Sequence, residues 1–413
     1  MCTSIAMNWG GGCFGRNMDV EYSFGEQVAV TPRRYPLQFW RQPAQEEHFA
    51  LIGMAHMAGG RPLYAEAANE KGLYMAGLNF PGSAWYEPDP PAGWDAVAPY
   101  ELIPWVLGSC ATLAEAKARL ARFRPLGVPL AEDLPLAPLH WHIADGAGAL
   151  VLEATREGVH LYDDPVGVLT NNPPFPFHQV NLSQYQHLTA QPAENRLASG
   201  LPLPAFGQGM GAIGLPGDAS PASRYVRAAF HKLNAPDPGG ELGRVSAFFH
   251  LLDSVAMVRG SVVTPEGKLD LTTYACCFSA GSGTYYYKTH GNSRLSAVRQ
   301  IGSGGILAAL WELSDTAGIG FEIDMPQIAL KQETVEICEF YRLNPYLMTS
   351  AGSYLILTDE AEEVIRVLEE TGARPVRLGM AADQNARVIR NGEEIRYLDR
   401  PAPDELEIWR SKR

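Results

Sequence analysis

The chain of 413 residues has no C-x-x-C pair, no H-E-x-x-H and no run of basic residues. It also lacks the ~18-residue apolar window that a membrane span needs. The first two absences leave no Cys or His spacing suited to a structural zinc site. The third, with a net charge of −13, argues against nucleic acid or an anionic membrane as a partner, because phosphate binding needs clustered Lys and Arg. With no basic-then-apolar leader at the start, a soluble cytoplasmic protein is expected, with no metal and no cofactor. The six cysteines (Cys2, Cys13, Cys110, Cys276, Cys277 and Cys338) fit free thiols in a reducing compartment. Cys276 and Cys277 are expected to alternate across a strand. His140 and His142, either side of Trp141, are read as strand residues rather than ligands.

What is plentiful is Gly (41) and Pro (31), which predicts many turns between short strands. Short, partly alternating runs predict strands over 3–8, 12–20, 27–32, 49–57 and 72–80. Helices are expected over 100–107 and from Thr112-Leu113-Ala114-Glu115, a capping-box pattern, to about Phe123. A hairpin over 139–154 and a strand over 158–162 follow, then helices over 178–188, 221–233 and 242–255, and strands over 269–288. Residues 191–216 lack periodicity and read as a long loop. This order predicts an α+β layered fold with largely antiparallel sheets. Beyond residue 300 helices and strands alternate (helix to 317, strand 319–323, helix 333–341, strand 353–357, helix 359–371, strand 375–378). The boundary is placed at 295–303, giving domains 1–299 and 300–413.

The chemistry starts at Cys2. A side chain this small permits removal of the initiator Met, which leaves one residue carrying both a thiol and a free α-amine. The amine titrates near ~8 and the thiol near ~8.5, so one residue supplies a nucleophile and its proton acceptor. Arg16 and Asp19 lie one strand away. If strand 3–8 pairs antiparallel with strand 12–20, a guanidinium comes near the thiolate and a carboxylate near the amine. An Arg–Asp pair on adjacent strands is also a common structural ion pair, and proximity alone leaves both readings open.

The ordered blocks beyond these residues decide. Cys2-Thr3, Phe14-Gly15-Arg16-Asn17-Met18-Asp19, Asn69-Glu70-Lys71-Gly72-Leu73, Gly77-Leu78-Asn79-Phe80-Pro81, Val168-Leu169-Thr170-Asn171, Leu215-Pro216-Gly217-Asp218 and Pro221-Ala222-Ser223-Arg224 together resemble the choloylglycine hydrolase family over roughly residues 1–295. That family contains the conjugated bile salt hydrolases and the penicillin V acylases. The resemblance implies a four-layer αββα N-terminal-nucleophile hydrolase sandwich. It makes Cys2 the nucleophile, with Arg16 and Asp19 tuning and positioning it. The Asn171 side chain and the Asn79 peptide N–H become the oxyanion hole, and Arg224 completes the electrostatics. By the same resemblance Asn79, where acylases tend to carry Tyr, favours conjugated bile salts as substrate. Met18, Phe24, Ala65, Leu134 and Leu139 fall in segments that line the pocket of relatives. Phe206-Gly207-Gln208-Gly209 looks like the Gly-x-Gly version of an assembly loop, which implies a homo-oligomer, dimer or tetramer, without a taurine preference.

Gly304-Gly305-Ile306-Leu307 to Leu313, Gly318 to Asp324, Glu333 to Cys338 and Thr349 to Ser353 resemble the C-terminal half of the aminoimidazole ribonucleotide synthetase-like family. That implies an appended α/β domain. The ATP-binding half that normally precedes it is absent, so an inert or assembly-related tail is expected. Two other readings stand beside the bile salt hydrolase: a penicillin V acylase-type amidase, and a nucleotide-binding or scaffold protein with a vestigial hydrolase domain.

Overall fold

The structure, a computed structural model, describes residues 1–131, 135–198, 200–291, 296–350, 352–382 and 384–411. The chain divides into two compact units. One comprises Met1–Gly239 and Arg244–Gly281 with a short return near residue 290; the other comprises the C-terminal residues with Gly240–Gly243 and Ser282–Tyr287. Among the described residues no helix is long and apolar enough to cross a membrane.

In the first unit the strands are β1 (Cys2–Met7), β2 (Cys13–Asp19), β3 (Glu26–Thr31), β4 (Leu51–Ala58), β5 (Arg61–Asn69) and β6 (Tyr74–Asn79). A small parallel pair follows, β7 (Asp95–Val97) with β8 (Phe123–Pro125). Next come β9 (Leu139–Asp145), β10 (Gly148–Thr155), β11 (Gly158–Asp163) and β12 (Val168–Leu169). The short hairpin β13 (Val262–Val263) and β14 (Leu269–Asp270) precedes β15 (Thr272–Ser279). One sheet runs β12-β1-β2-β15 and the other β11-β10-β9-β6-β5-β4-β3. Their inner faces meet where β1 and β2 pack on β6 and β1 on β9.

Helices close both outer faces. Helix α1 (Leu102–Leu107) lies on β5 and β6, and α2 (Leu113–Leu120) on β9 and β10. On the other side α3 (Phe175–Leu182) packs on α4 (Pro221–Asn234), and α4 covers β1 and β12. Helix α5 (Glu241–Asp253) buries Val245, Phe248, Leu251 and Leu252. This is the expected αββα order. Burial on both faces explains the sequence of the central strands: β1 and β2 are buried at every position, so neither alternates. The same holds for Cys276 and Cys277, neighbours on β15 that point to opposite faces and are both buried. At Gly15 a Cβ would run into the carbonyl oxygen of Cys276, so only glycine lets β2 approach β15 there.

Locally the outcome is mixed. The helix expected over 178–188 runs from Phe175–Leu182 with a 3₁₀ turn at Ser183–Tyr185, because Pro174 is its N-cap and starts it early. Strand β5 was absent from the sequence reading, since Ala65, Ala67 and Ala68 hide its period. The capping threonine does act: Thr112 Oγ1 accepts the Glu115 N–H at 3.2 Å, and Glu115 accepts from Ala111 N at 2.7 Å.

The second unit carries β16 (Thr284–Thr289), β17 (Ser296–Gln300), α6 (Gly305–Ala317), β18 (Gly320–Asp324), α7 (Gln332–Tyr341), β19 (Tyr354–Leu357) and α8 (Ala361–Glu370). Strand β17 pairs antiparallel with β16 and β19. The strand expected over 375–378 forms instead at β20 (Gly379–Ala382), after Pro375 has broken the chain. Strands β21 (Arg387–Asn391) and β22 (Glu394–Tyr397) and helix α9 (Glu405–Ser411) complete it. The sheet order β20-β18-β21-β22 is mostly antiparallel, with the β18–β21 pair parallel. A cavity of about 740 Å³ in this unit is lined mainly by aliphatic side chains, among them Leu310, Leu355 and Leu368.

Candidate active site

Strands β1 and β2 pair antiparallel with Cys2 opposite Met18, Thr3 opposite Asn17 and Ser4 opposite Arg16. Because side chains alternate along a strand, Cys2, Ser4, Arg16 and Met18 share one face, and Thr3, Asn17 and Asp19 the other. The first set points between the sheets. Cys2 Sγ lies 3.9 Å from Met18 Sδ, and Arg16 Nη2 is 3.5 Å from the same sulfur. Arg16 is fully buried and donates through Nη1 to Gly77 O at 2.6 Å and to Ala65 O at 3.3 Å. Its guanidinium stands 3.7 Å from the Glu66 carboxylate. Burial alone would lower the Arg16 pKa, yet the acidic groups around it, Cys2, Tyr274 and Glu66, hold it above its ordinary value.

The second set faces the helices. Asn17 Nδ2 donates to Leu252 O of α5 at 2.8 Å. Thr3 Oγ1 accepts from Arg224 Nη1 at 2.6 Å, and the same nitrogen donates to Cys2 O. Arg224 projects from the first turn of α4, which Ser220 caps and Pro221 opens. Thus two buried arginines reach Cys2 from opposite faces of one strand. Burial pulls the Arg224 pKa down, against the raising effect of Asp19 and Cys2.

Asp19 ends β2, fully buried. Its Oδ1 accepts from Thr272 Oγ1 at 2.6 Å, while Oδ2 has no partner among the described residues. Burial raises its pKa, with Arg224 and the Thr272 hydrogen bond opposing. The Met1 amine donates to the Asp19 carbonyl and lies 3.7 Å from Asp270. An orphan buried carboxylate oxygen beside the amino terminus suits an ammonium partner.

Asn171 follows β12. Its Oδ1 accepts from Cys2 N at 2.9 Å and Arg224 Nη2 at 2.7 Å, and its Nδ2 donates to Asn79 O at 2.7 Å. The structure therefore brings Cys2, Arg16, Asp19, Asn171, Arg224 and the backbone of Asn79 into one cluster. The Asn79 side chain itself is exposed. Of the pocket candidates, Met18 touches Cys2, and Ala65 meets Arg16 through its carbonyl. Leu139 is the β9 partner of Asn79, and its Cδ1 lies 3.3 Å from where a Gly77 Cβ would stand. Phe24 is half-buried in the loop after β2. Leu134 lies outside the described residues.

Two residues at the site escaped the sequence reading. Glu66 on β5 accepts from Tyr274 Oη at 2.7 Å and faces Arg16; an acid inside the run Leu63-Tyr64-Ala65-Glu66-Ala67-Ala68 was the available signal. His178 on α3 donates Nε2–H to Asn171 O at 2.9 Å and stacks on Tyr225 with ring centroids 4.9 Å apart. Burial lowers its pKa, which favours the neutral ring. His140 and His142 are strand residues as expected: His140 Nδ1 is 3.1 Å from Glu153, and His142 Nδ1 is 2.9 Å from Ser4 Oγ. In the second unit, the Gly304 N–H at the start of α6 donates to the buried Asp404 carboxylate at 3.1 Å. Thr349 donates to that carboxylate through both N and Oγ1 at 2.7 Å. The anion position at this helix start is thereby filled by the chain's own side chain.

Residues 2–302 match the linear amide C–N hydrolases, choloylglycine hydrolase family, and residues 288–390 match the AIR synthase related protein, C-terminal domain. The chain is 42% identical over 302 residues to a bile salt hydrolase/transferase of Lactiplantibacillus plantarum, covering 72% of this chain and 92% of that protein. It is 39% identical over 289 residues to a conjugated bile acid hydrolase of Lactobacillus acidophilus, covering 69% and 92%. Among solved structures, the C2A mutant of conjugated bile acid hydrolase from Clostridium perfringens superposes with a TM-score of 0.67 at 37% identity, covering 72% of this chain and 92% of that one. Penicillin V acylase from Agrobacterium tumefaciens shares the fold at a TM-score of 0.57 and 17% identity, covering 71% and 84%.

Proposed function

The chain belongs to the choloylglycine hydrolase family of linear amide C–N hydrolases, and we propose that it cleaves the amide bond joining a bile acid to glycine or taurine. The observation that carries this reading is the convergence of Arg224 and the Cys2 amide on Asn171 Oδ1, which turns the Asn171 NH₂ group toward Asn79 beside the thiol.

The mechanism follows from these groups. With Met1 removed, the Cys2 α-amine takes the thiol proton and the thiolate attacks the amide carbon, making a C–S bond. The carbonyl π electrons move onto oxygen, where the Asn171 Nδ2–H and the Asn79 peptide N–H stabilise the charge. One such donor is worth about 2.7–4 kcal/mol in a preorganised site. Collapse breaks the C–N bond, the ammonium returns its proton to the departing amine, and a thioester remains. Water, deprotonated by the same α-amine, then releases the bile acid and restores the thiol. Arg16 holds the thiolate charge, and Asp19 takes the ammonium on its unpartnered oxygen.

Substrate and assembly extend this proposal. Met18, Phe24, Ala65 and Leu139 belong to the apolar slot for the steroid. The segment Phe206-Gly207-Gln208-Gly209 itself carries no Arg for a sulfonate, so glycine conjugates are cleaved at least as well as taurine conjugates. Leu197, Leu201, Leu203 and Phe206 on this loop are exposed, Phe206 at 89%, which supports a homo-oligomer (dimer or tetramer) with the loop against a neighbour. Six free cysteines fit the cytoplasm. Residues 1–299 form the hydrolase domain and 300–413 an appendage whose Asp404 contact disfavours a nucleotide site there.

The test is turnover by purified protein whose loss of Met1 is verified by mass spectrometry, assayed on glycocholate, taurocholate and phenoxymethylpenicillin. Release of glycine supports the proposal. Good cleavage of the penicillin with none of the bile salts favours the acylase, and tight ATP binding by calorimetry without amidase turnover favours the scaffold.

A further inference from the structure

Glu66 is fully buried on β5, between the two sheets. A carboxylate is costly to bury unless charge and donors surround it. Here Tyr274 Oη donates to Oε2 at 2.7 Å, Cys276 Sγ lies 3.6 Å from Oε1, and Arg16 Nη1 stands 3.7 Å from Oε2. Tyr274 and Cys276 sit on β15, Arg16 on β2 and Glu66 on β5, so the cluster ties three strands of two sheets behind the nucleophile. Arg16 completes its contacts with the Gly77 and Ala65 carbonyls and the Met18 sulfur.

The charges near Cys2 form two opposed pairs. Arg16 faces Glu66 between the sheets, and on the other face of the strand Arg224 and Asp19 feel each other's charge. Tyr74 and Tyr274 are buried beside this cluster, and burial holds both phenols well above their ordinary pKa, so they remain neutral. Without Glu66, the inter-sheet side would hold one uncompensated guanidinium against the thiol.

We propose that Glu66 is a positioning residue for the nucleophile: it fixes Arg16 beneath Cys2 and offsets its charge, so that the thiolate is stabilised without being made inert. The reasoning is that nucleophilicity falls as a thiol becomes more acidic, with a Brønsted coefficient of about 0.4–0.5. Without Glu66, Arg16 would still be held by the Gly77 and Ala65 carbonyls, and its uncompensated charge would over-stabilise the thiolate. This rests on Cys2 being the nucleophile, but not on the identity of the substrate.

The experiment is the pH dependence of Cys2 alkylation by iodoacetamide in the full, Met1-free chain, which needs no turnover and so separates failure of this proposal from failure of the bile salt reading. Glu66→Gln should move the pH of half-maximal alkylation to the acid side by about one unit, the size expected when a neighbouring opposing charge is removed. Its kcat on glycocholate should fall about threefold with KM within about twofold. Glu66→Asp should restore the alkylation midpoint toward the parent. Tyr274→Phe, which keeps the ring and removes only the donor, should shift the midpoint the same way by less, and decides the matter if Glu66→Gln does not fold. Midpoints unchanged in the folded variants would overturn the proposal and leave Glu66 a packing residue.

Discussion

Arg224 Nη2 donates to Asn171 Oδ1 at 2.7 Å, and this contact decides which end of the Asn171 amide faces the nucleophile. The oxygen is held on the Arg224 side, where the Cys2 N–H also reaches it. The NH₂ group must therefore point the other way, toward Asn79. Orientation of the amide is a property of the pair, and Asn171→Asp tests it. The carboxylate keeps Arg224 and loses the donor, so kcat should fall about 10²–10³-fold in steady-state assays, the cost of one oxyanion donor. A variant with parental kcat would remove Asn171 from the oxyanion site.

Cys2→Ser should fold and lose nearly all activity. A hydroxyl ionises only far above neutral pH, and Arg16 cannot bridge that gap. Burst and steady-state assays on glycocholate check this; more than about a tenth of the parental rate contradicts the role of the thiol.

Asp19→Asn preserves the shape and the Thr272 contact but removes the charge that the α-amine needs. The catalytic rate should drop while KM changes little, since Asp19 is fully buried. An unaltered kcat takes Asp19 out of the mechanism.

The pH response of stability should carry the signature of His178. Its folded pKa lies below the ordinary value of 6.5 because the ring is buried, with the Asn171 hydrogen bond opposing. The stability it contributes is therefore full above pH 6.5 and is lost as pH falls through the folded value. Calorimetry should show Tm declining below pH 6.5 in the parent. His178→Phe should start lower, by about 1 kcal/mol for the lost hydrogen bond to Asn171 O, and show a flatter decline. Parallel curves would assign the acid sensitivity elsewhere.

The order of motifs from Cys2 to Arg224 was enough to identify the family, because each block is a local run of residues that survives without its partners. The β1–β2 pairing was legible for a similar reason: five residues separate the strands, so alternation alone puts Arg16 with Cys2 and Asp19 with Thr3. Glu66, His178 and Asp404 were not legible. Glu66 meets Tyr274 from 208 positions away, and Asp404 meets Gly304 across 100. A carboxylate inside an apolar strand has no meaning until the sheet opposite supplies an arginine and a tyrosine. Strand β5 was hidden because alanines are small enough to be buried on both faces and so carry no period. Sequence alone determined the chemistry available at Cys2; only the packing of two sheets and α4 decided which charges surround it, since electrostatic reach is set by distance in space and not along the chain.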